Sequence, residues 1–163
     1  MVVKAILFDT RSIQRYIFSG NKLKTNIGAS FIVERLFQDV LVDDVLEEHF
    51  GDGLDARNWE SKDIMFDSLA KECQVAYIGG GNALILFQEN TAEAVLQDIV
   101  GDFTKLLLTE CPGLHTGAAI GKLDLSSPVA YKESNQKLYN DLKHNQNTIF
   151  PQVNVPYTGL TLA

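Results

Sequence analysis

A chain of 163 residues with a hydrophobic fraction of 45% carries enough apolar mass for one domain with a continuous core and too little for two ordinary ones. The formal charge of −7 argues against broad, nonspecific binding to nucleic acid, which needs many phosphate-neutralising Lys and Arg side chains. No apolar run approaches the roughly 20 residues needed to span a bilayer, and the N-terminus enters a strand-like run instead of a signal peptide, so a cytoplasmic protein without membrane partners is expected.

Val2 to Phe8 is a near-continuous apolar run of the kind that forms a central strand, and Asp9-Thr10 is expected to end it. Ile13, Tyr16 and Ile17 then recur at spacings of three and four, which predicts a short helix closed by Ser19-Gly20-Asn21. From Ala29 to Leu41 an apolar stripe predicts a long amphipathic helix ending near Gly51. The stretch from Gly51 to about Ser68 has no sustained period and reads as a loop or helical insertion. Gln74 to Phe87 reads as a hairpin, Thr91 to Leu108 as a helix, Thr116 to Gly121 as a fourth strand and Val129 to His144 as a last helix with Pro128 at its start. The order β-α-α-β-β-α-β-α predicts an α+β, ferredoxin-like fold: a four-stranded, mainly antiparallel sheet with helices on one face. Residues 1–150 are assigned to this domain, and 151–163 to the start of a following segment, because the sequence stops inside an apolar stretch.

Two motifs fall on one edge of that sheet: Asp9 after the first strand, and Gly79-Gly80-Gly81-Asn82 at the hairpin turn. Consecutive glycines let backbone N–H groups turn toward an anion, although a tight hairpin with positive φ requires glycine as well. Asp9 also reads as a charge ahead of a helix start. Residues 1–35 are locally basic, and Arg11 and Arg15, one helical turn apart, together with Lys22, are placed to meet a triphosphate. Lys143 on the last helix joins this candidate nucleotide-binding set. Tyr16 and Phe18 can stack a base, but aromatic residues at this spacing also build cores. Cys73 and Cys111 lack metal-ligand spacing and read as reduced thiols, and His49, His115 and His144 share no ligand pattern.

The segment from Phe8 to Lys24, the run Ile27 to Val33 and the glycine turn resemble the palm domains of the large subunit of type III CRISPR effector complexes. In that family and the related cyclases, the resemblance implies nucleoside triphosphate bound with two metals, held by an Asp after the first strand and by the acidic pair of a GGDD-type hairpin. Asp9 matches the first position and is the candidate metal ligand. Gly81 and Asn82 stand where the acidic pair would be, so the hairpin reads GGGN. The large subunits carry two palms, one commonly degenerate and paired with an active one. This implies a degenerate palm whose ligand is ATP with Mg2+ and whose partner is a second palm, a homodimer or other effector subunits; a stand-alone relative fits the same residues. One carboxylate cannot offset two divalent cations, which argues against metal-dependent transfer by this chain alone. A structural interaction module, and an active cyclase or oligonucleotide synthetase with carboxylates supplied by a partner, are the alternatives.

Overall fold

In the computed structural model the described residues are 1–11, 23–56, 69, 71–79 and 81–162. Strand β1 spans Val2–Arg11, and helix α1 (Leu23–Leu36) continues as a π-helical stretch (Phe37–Leu46) and a last turn, α2 (Glu47–Phe50). A 3-10 turn at Gly51–Gly53 leads to β2 (Leu54–Asp55). The hairpin strands β3 (Cys73–Gly79) and β4 (Asn82–Phe87) are followed by α3 (Glu93–Glu110), β5 (His115–Asp124) and α4 (Pro128–Leu162).

The sheet order is β2-β3-β4-β1-β5. β1 lies between β4 and β5 and is antiparallel to both, while β3 is antiparallel to β4. The four longer strands therefore form two interlocked split βαβ units, in which β4 separates β1 from β3 and β1 separates β4 from β5. This is the expected ferredoxin-like connectivity with two corrections. The sheet has a fifth strand, because Leu54 and Asp55 pair in parallel with Cys73 and Gln74 and make the sheet mixed. Two residues are too few to show a period, which is why they read as part of a loop or helical insertion; residues 57–68 of that stretch lie outside the described residues.

The second correction concerns the faces. Ile6 and Phe8 point into one core, where Phe37 and Phe103 stack and Phe8 meets both at an angle, with ring centroids 5.1 to 6.4 Å apart. Val3, Ala5 and Leu7 point into a second core, which Leu138 and Leu142 of α4 close. Helices thus cover both faces. The cause is in β1 itself: a strand apolar at successive positions buries both of its sides, so neither face can be left to solvent. Helix α4 approaches β5 closely, since a Cβ on Gly121 would stand 3.0 Å from Leu138 Cδ1.

The long helix ends where the sequence placed its end. Gly51 adopts φ +49° at the C-terminus of α2, a conformation that costs glycine little. Within the π-helical stretch the turns widen, as the Glu47 N–H donating to the Val42 carbonyl shows. That widening keeps Phe37, Leu41 and Leu46, four and five residues apart, on the buried face. A shift in register between Val75 and Tyr77 places Ala76 and Tyr77 together on the α4 face of the sheet. Among the described residues, no helix is long and apolar enough to cross a membrane.

Burial of Leu138 at 1% exposure against the second face yields a direct check on α4. Leu138→Ala is expected to lower unfolding stability by about 2–5 kcal/mol in urea titrations, the cost of a large-to-small change in a packed core. A loss below about 0.5 kcal/mol, as at a surface position, would show that α4 does not cover that face.

Candidate functional site

The site is built at the end of the sheet where β1 turns polar. The sequence placed the end of the strand at Asp9-Thr10, but β1 continues to Arg11, which pairs with His115. Buried Thr10 extends it: its backbone N–H donates to the Gly81 carbonyl at 2.8 Å and its Oγ1 donates to the same oxygen at 2.6 Å. The hairpin turn is thereby tied to the central strand. Gly81 holds φ +86°, the left-handed region that a side chain disfavours. On the other side, Thr116 Oγ1 donates to the Asp9 carbonyl at 3.1 Å.

Register brings the candidate residues into one line. Asn82 is the cross-strand partner of both Gly79 and Asp9, and Asp9 is also the partner of Gly117. Gly79, Asn82, Asp9 and Gly117 thus cross four strands in a single row. Asp9 alternates with Leu7 and Ala5, and Asn82 with Leu84 and Leu86, so both side chains lie on the α4 face of the sheet. Two residues back along β3, Tyr77 packs against the second core, and its hydroxyl is 3.0 Å from that of Tyr139 on α4. Near the Gly117 end, Asn145 of α4 donates from Nδ2 to the Ala118 carbonyl at 2.9 Å. The site is therefore a carboxylate and an amide between two glycines, with a phenol pair behind them.

Burial is the main force holding the Tyr77 phenol protonated above its usual range; the hydrogen bond to Tyr139 comes next, and the charge of Asp9 adds a smaller part. Burial also raises the Tyr131 phenol, with Tyr139 adding to the effect. Tyr139 and Asn145 were missed by the sequence reading, since a polar residue on a helix gives no sign of which strand it will touch. Tyr77 stood in the hairpin strand and carried a signal, two positions before Gly79 on the same side by strand alternation.

Of the predicted ligand-binding residues, the structure unites Asp9, Gly79, Gly81 and Asn82. Gly80, Arg15, Lys22 and the side chain of Arg11 lie outside the described residues, as do Tyr16 and Phe18. Lys143 is exposed on α4. Arg35, part of the basic N-terminal region, is engaged with Asp39 one turn away at 2.8 Å. Its bidentate hydrogen bonding to Arg35 draws the Asp39 carboxyl below the ordinary range. Cys73 and Cys111 are both buried, and neither is in a disulfide.

The donor set at the row does not fit two divalent ions. Asp9 supplies one carboxylate and Asn82 an uncharged oxygen, and among the described residues no three His, Cys, Asp or Glu side chains converge as a metal site. A cleft of about 480 Å3 lies elsewhere, at the opposite end of the sheet against Val2, Lys4, Lys122 and Asp124. We place the site at the row because the polar side chains converge there, whereas the cleft mixes lysines and carboxylates around an edge strand.

The chain's fold is similar to that of solved type III CRISPR proteins. It aligns with a Csm1–Csm4 cassette in complex with one ATP at a TM-score of 0.61 and 15% identity, over 89% of this chain and 19% of that one. Against Csm1 of T. onnurineus the TM-score is 0.59 at 13% identity, over 90% and 20% of the two chains, and an apo Csm1–Csm4 cassette aligns at 0.59 and 12%, over 90% and 19%. Csm1 is the type III CRISPR large subunit, the protein whose palm the sequence resembles. At these identities the likeness shows a shared fold, and the chain spans about a fifth of the length of these proteins. No protein-family profile and no curated protein sequence matches the chain.

Two outcomes follow from the geometry. Gly81→Ala is expected to destabilise the protein by about 1–2 kcal/mol in chemical unfolding, and Gly81→Asn by less, because Asn tolerates positive φ; equal stability of all three would show that the turn does not hold φ +86°. In an ultraviolet titration of phenolate, Tyr77 should ionise after the ordinary tyrosine step near pH 10, and Tyr77→Phe should remove part of the late step. The folded state holds this proton more tightly than the unfolded chain does. The resulting stabilisation is therefore complete below about pH 10 and disappears as pH rises further. A single titration step for all tyrosines would refute the burial of this phenol against α4.

Proposed function

We propose that residues 1–150 form a catalytically degenerate palm of a type III CRISPR large-subunit-like protein, one that binds nucleotide or pairs with a second palm in the cytoplasm. The observation that carries this reading is the pairing of Asp9 with Asn82 at one end of the sheet. Metal-dependent nucleotidyl transfer needs acidic side chains from both strands, to offset the charge of two ions and activate a hydroxyl. Here one strand supplies a carboxylate and the other an amide, so the ions' charge is not met. Gly81 is tied to β1 through both donors of Thr10, and a ligand can be held beside it without being turned over. Any Mg2+ then accompanies the phosphates of ATP and is not seated by the protein.

The likeness to Csm1 chains, among them a cassette in complex with one ATP, supports nucleotide as the ligand and effector subunits as partners. Pairing with a second palm has its own support. Phe31 is 57% exposed, and with Ile32 and Cys111 it lines an open groove between α1 and the end of α3. If the chain is only a pairing module, that surface carries the whole function.

Calorimetric titration with ATP, with and without magnesium and at low ionic strength, decides between binding and pairing alone. Saturable binding in the micromolar range is expected, with no nucleotide product formed on long incubation. Product formed by the chain alone would overturn the degenerate reading, and no heat at millimolar ATP would leave pairing as the function. Asn82→Asp should make ATP binding more dependent on magnesium, since it places two carboxylates side by side.

A further inference from the structure

We propose that the row Gly79, Asn82, Asp9 and Gly117 seats the ribose of the nucleotide, with the Asp9 carboxylate accepting hydrogen bonds from the sugar hydroxyls. This rests on the nucleotide-binding reading above and specifies which part of the ligand the row holds.

The first argument is shape. Neighbouring strands lie about 4.8 Å apart, so the four residues of the row span roughly 14 Å, with side chains only at its two middle positions. A Cβ built on Gly79 meets no heavy atom within 4 Å, whereas Gly117 is a buried residue. The row is a shelf open at the hairpin and closed at β5. Its back edge is the Tyr77–Tyr139 pair, fixed by the 3.0 Å contact between hydroxyls and by packing on the second core.

The second argument is the inventory of donors and acceptors. An ionised carboxylate only accepts, with two oxygens; the amide of Asn82 both donates and accepts. Vicinal hydroxyls match this set, because each donates one O–H to the carboxylate while its oxygen can accept from an amide N–H. A carboxylate at a strand end holding ribose hydroxyls is a known solution in dinucleotide sites. Phosphate matches poorly, since its oxygens accept and so do those of Asp9. A base is commonly held by stacking on an aromatic face, and among the described residues the flanks of this row are glycines while the two phenols face each other and pack on the second core. Asp9 alternates with Leu7 and Tyr77 packs against the same second core, which puts both residues on the α4 face of the sheet.

The test is a calorimetric series with ATP, 2′-deoxy-ATP and 3′-deoxy-ATP in the presence of EDTA. On the wild-type chain, each lost hydroxyl is expected to weaken binding about tenfold, the scale of a hydrogen bond to a charged group. Asp9→Asn, with its fold verified by circular dichroism, should bring the three ligands to similar affinity. The ligand series itself needs no mutation, so it decides even if that variant misfolds. Deoxynucleotides binding within about twofold of ATP would overturn the assignment of the ribose and leave nucleotide binding standing. No binding of ATP would overturn both.

Discussion

The structure depends on β1 being hydrogen-bonded on both sides and apolar on both faces. A strand paired with β4 along one edge and β5 along the other can donate no edge to solvent, and its side chains alternate between two cores. Each core then needs its own cover. Helices α1 and α3 and the π-helical stretch close the Phe8 side, and α4 closes the Leu7 side. The same alternation that buries Val3, Ala5 and Leu7 brings Asp9 out on the α4 face, one step past the last apolar residue. The core and the site are thus consecutive positions of one strand, and a shift of one residue in its register would exchange them.

Much of this was legible because β1, the hairpin and the two long amphipathic helices carry clear periods. The long helix was placed to its glycine stop, and the connectivity followed from the order of elements. What stayed hidden had physical reasons. β2 is two residues long and gains its place by pairing with β3, a nonlocal event that no local pattern records. The coverage of both faces was implicit in the unbroken apolar run of β1, yet a short run cannot by itself tell a strand buried on both faces from one buried on a single face. The extension of β1 through Thr10 is also nonlocal, since it follows from two hydrogen bonds to a carbonyl 71 residues away.

The site was legible in part and for a different reason. Asp9 and the glycine turn are visible as residue types, and the split βαβ order places a strand end and the hairpin on one sheet edge. Sequence cannot supply register, and register makes Asp9 the neighbour of Asn82 and flanks both with glycines. The phenol pair needed the bulge near Ala76, which turns Tyr77 toward α4 and its partner Tyr139. A bulge leaves no dependable mark in an alternating pattern, because the two residues that share a face differ in size and polarity.

Positions 81 and 82 differ in what the backbone demands of them. Position 81 lies at φ +86°, where glycine is at ease and the turn's carbonyl is held by both donors of Thr10. Position 82 begins β4 in extended backbone paired to two strands, a conformation open to any residue. The absence of charge at 81 can therefore be assigned to turn geometry, while the amide at 82 has no such cause in the backbone. Its chemistry must account for it: an amide beside Asp9 adds a donor without adding charge. That is an asset to a site that recognises hydroxyls and a deficit to one that must gather cations. With Gly81 fixed by the turn and Asn82 fixed by register, the row carries one carboxylate and one amide, a donor set richer in hydrogen-bonding capacity than in charge.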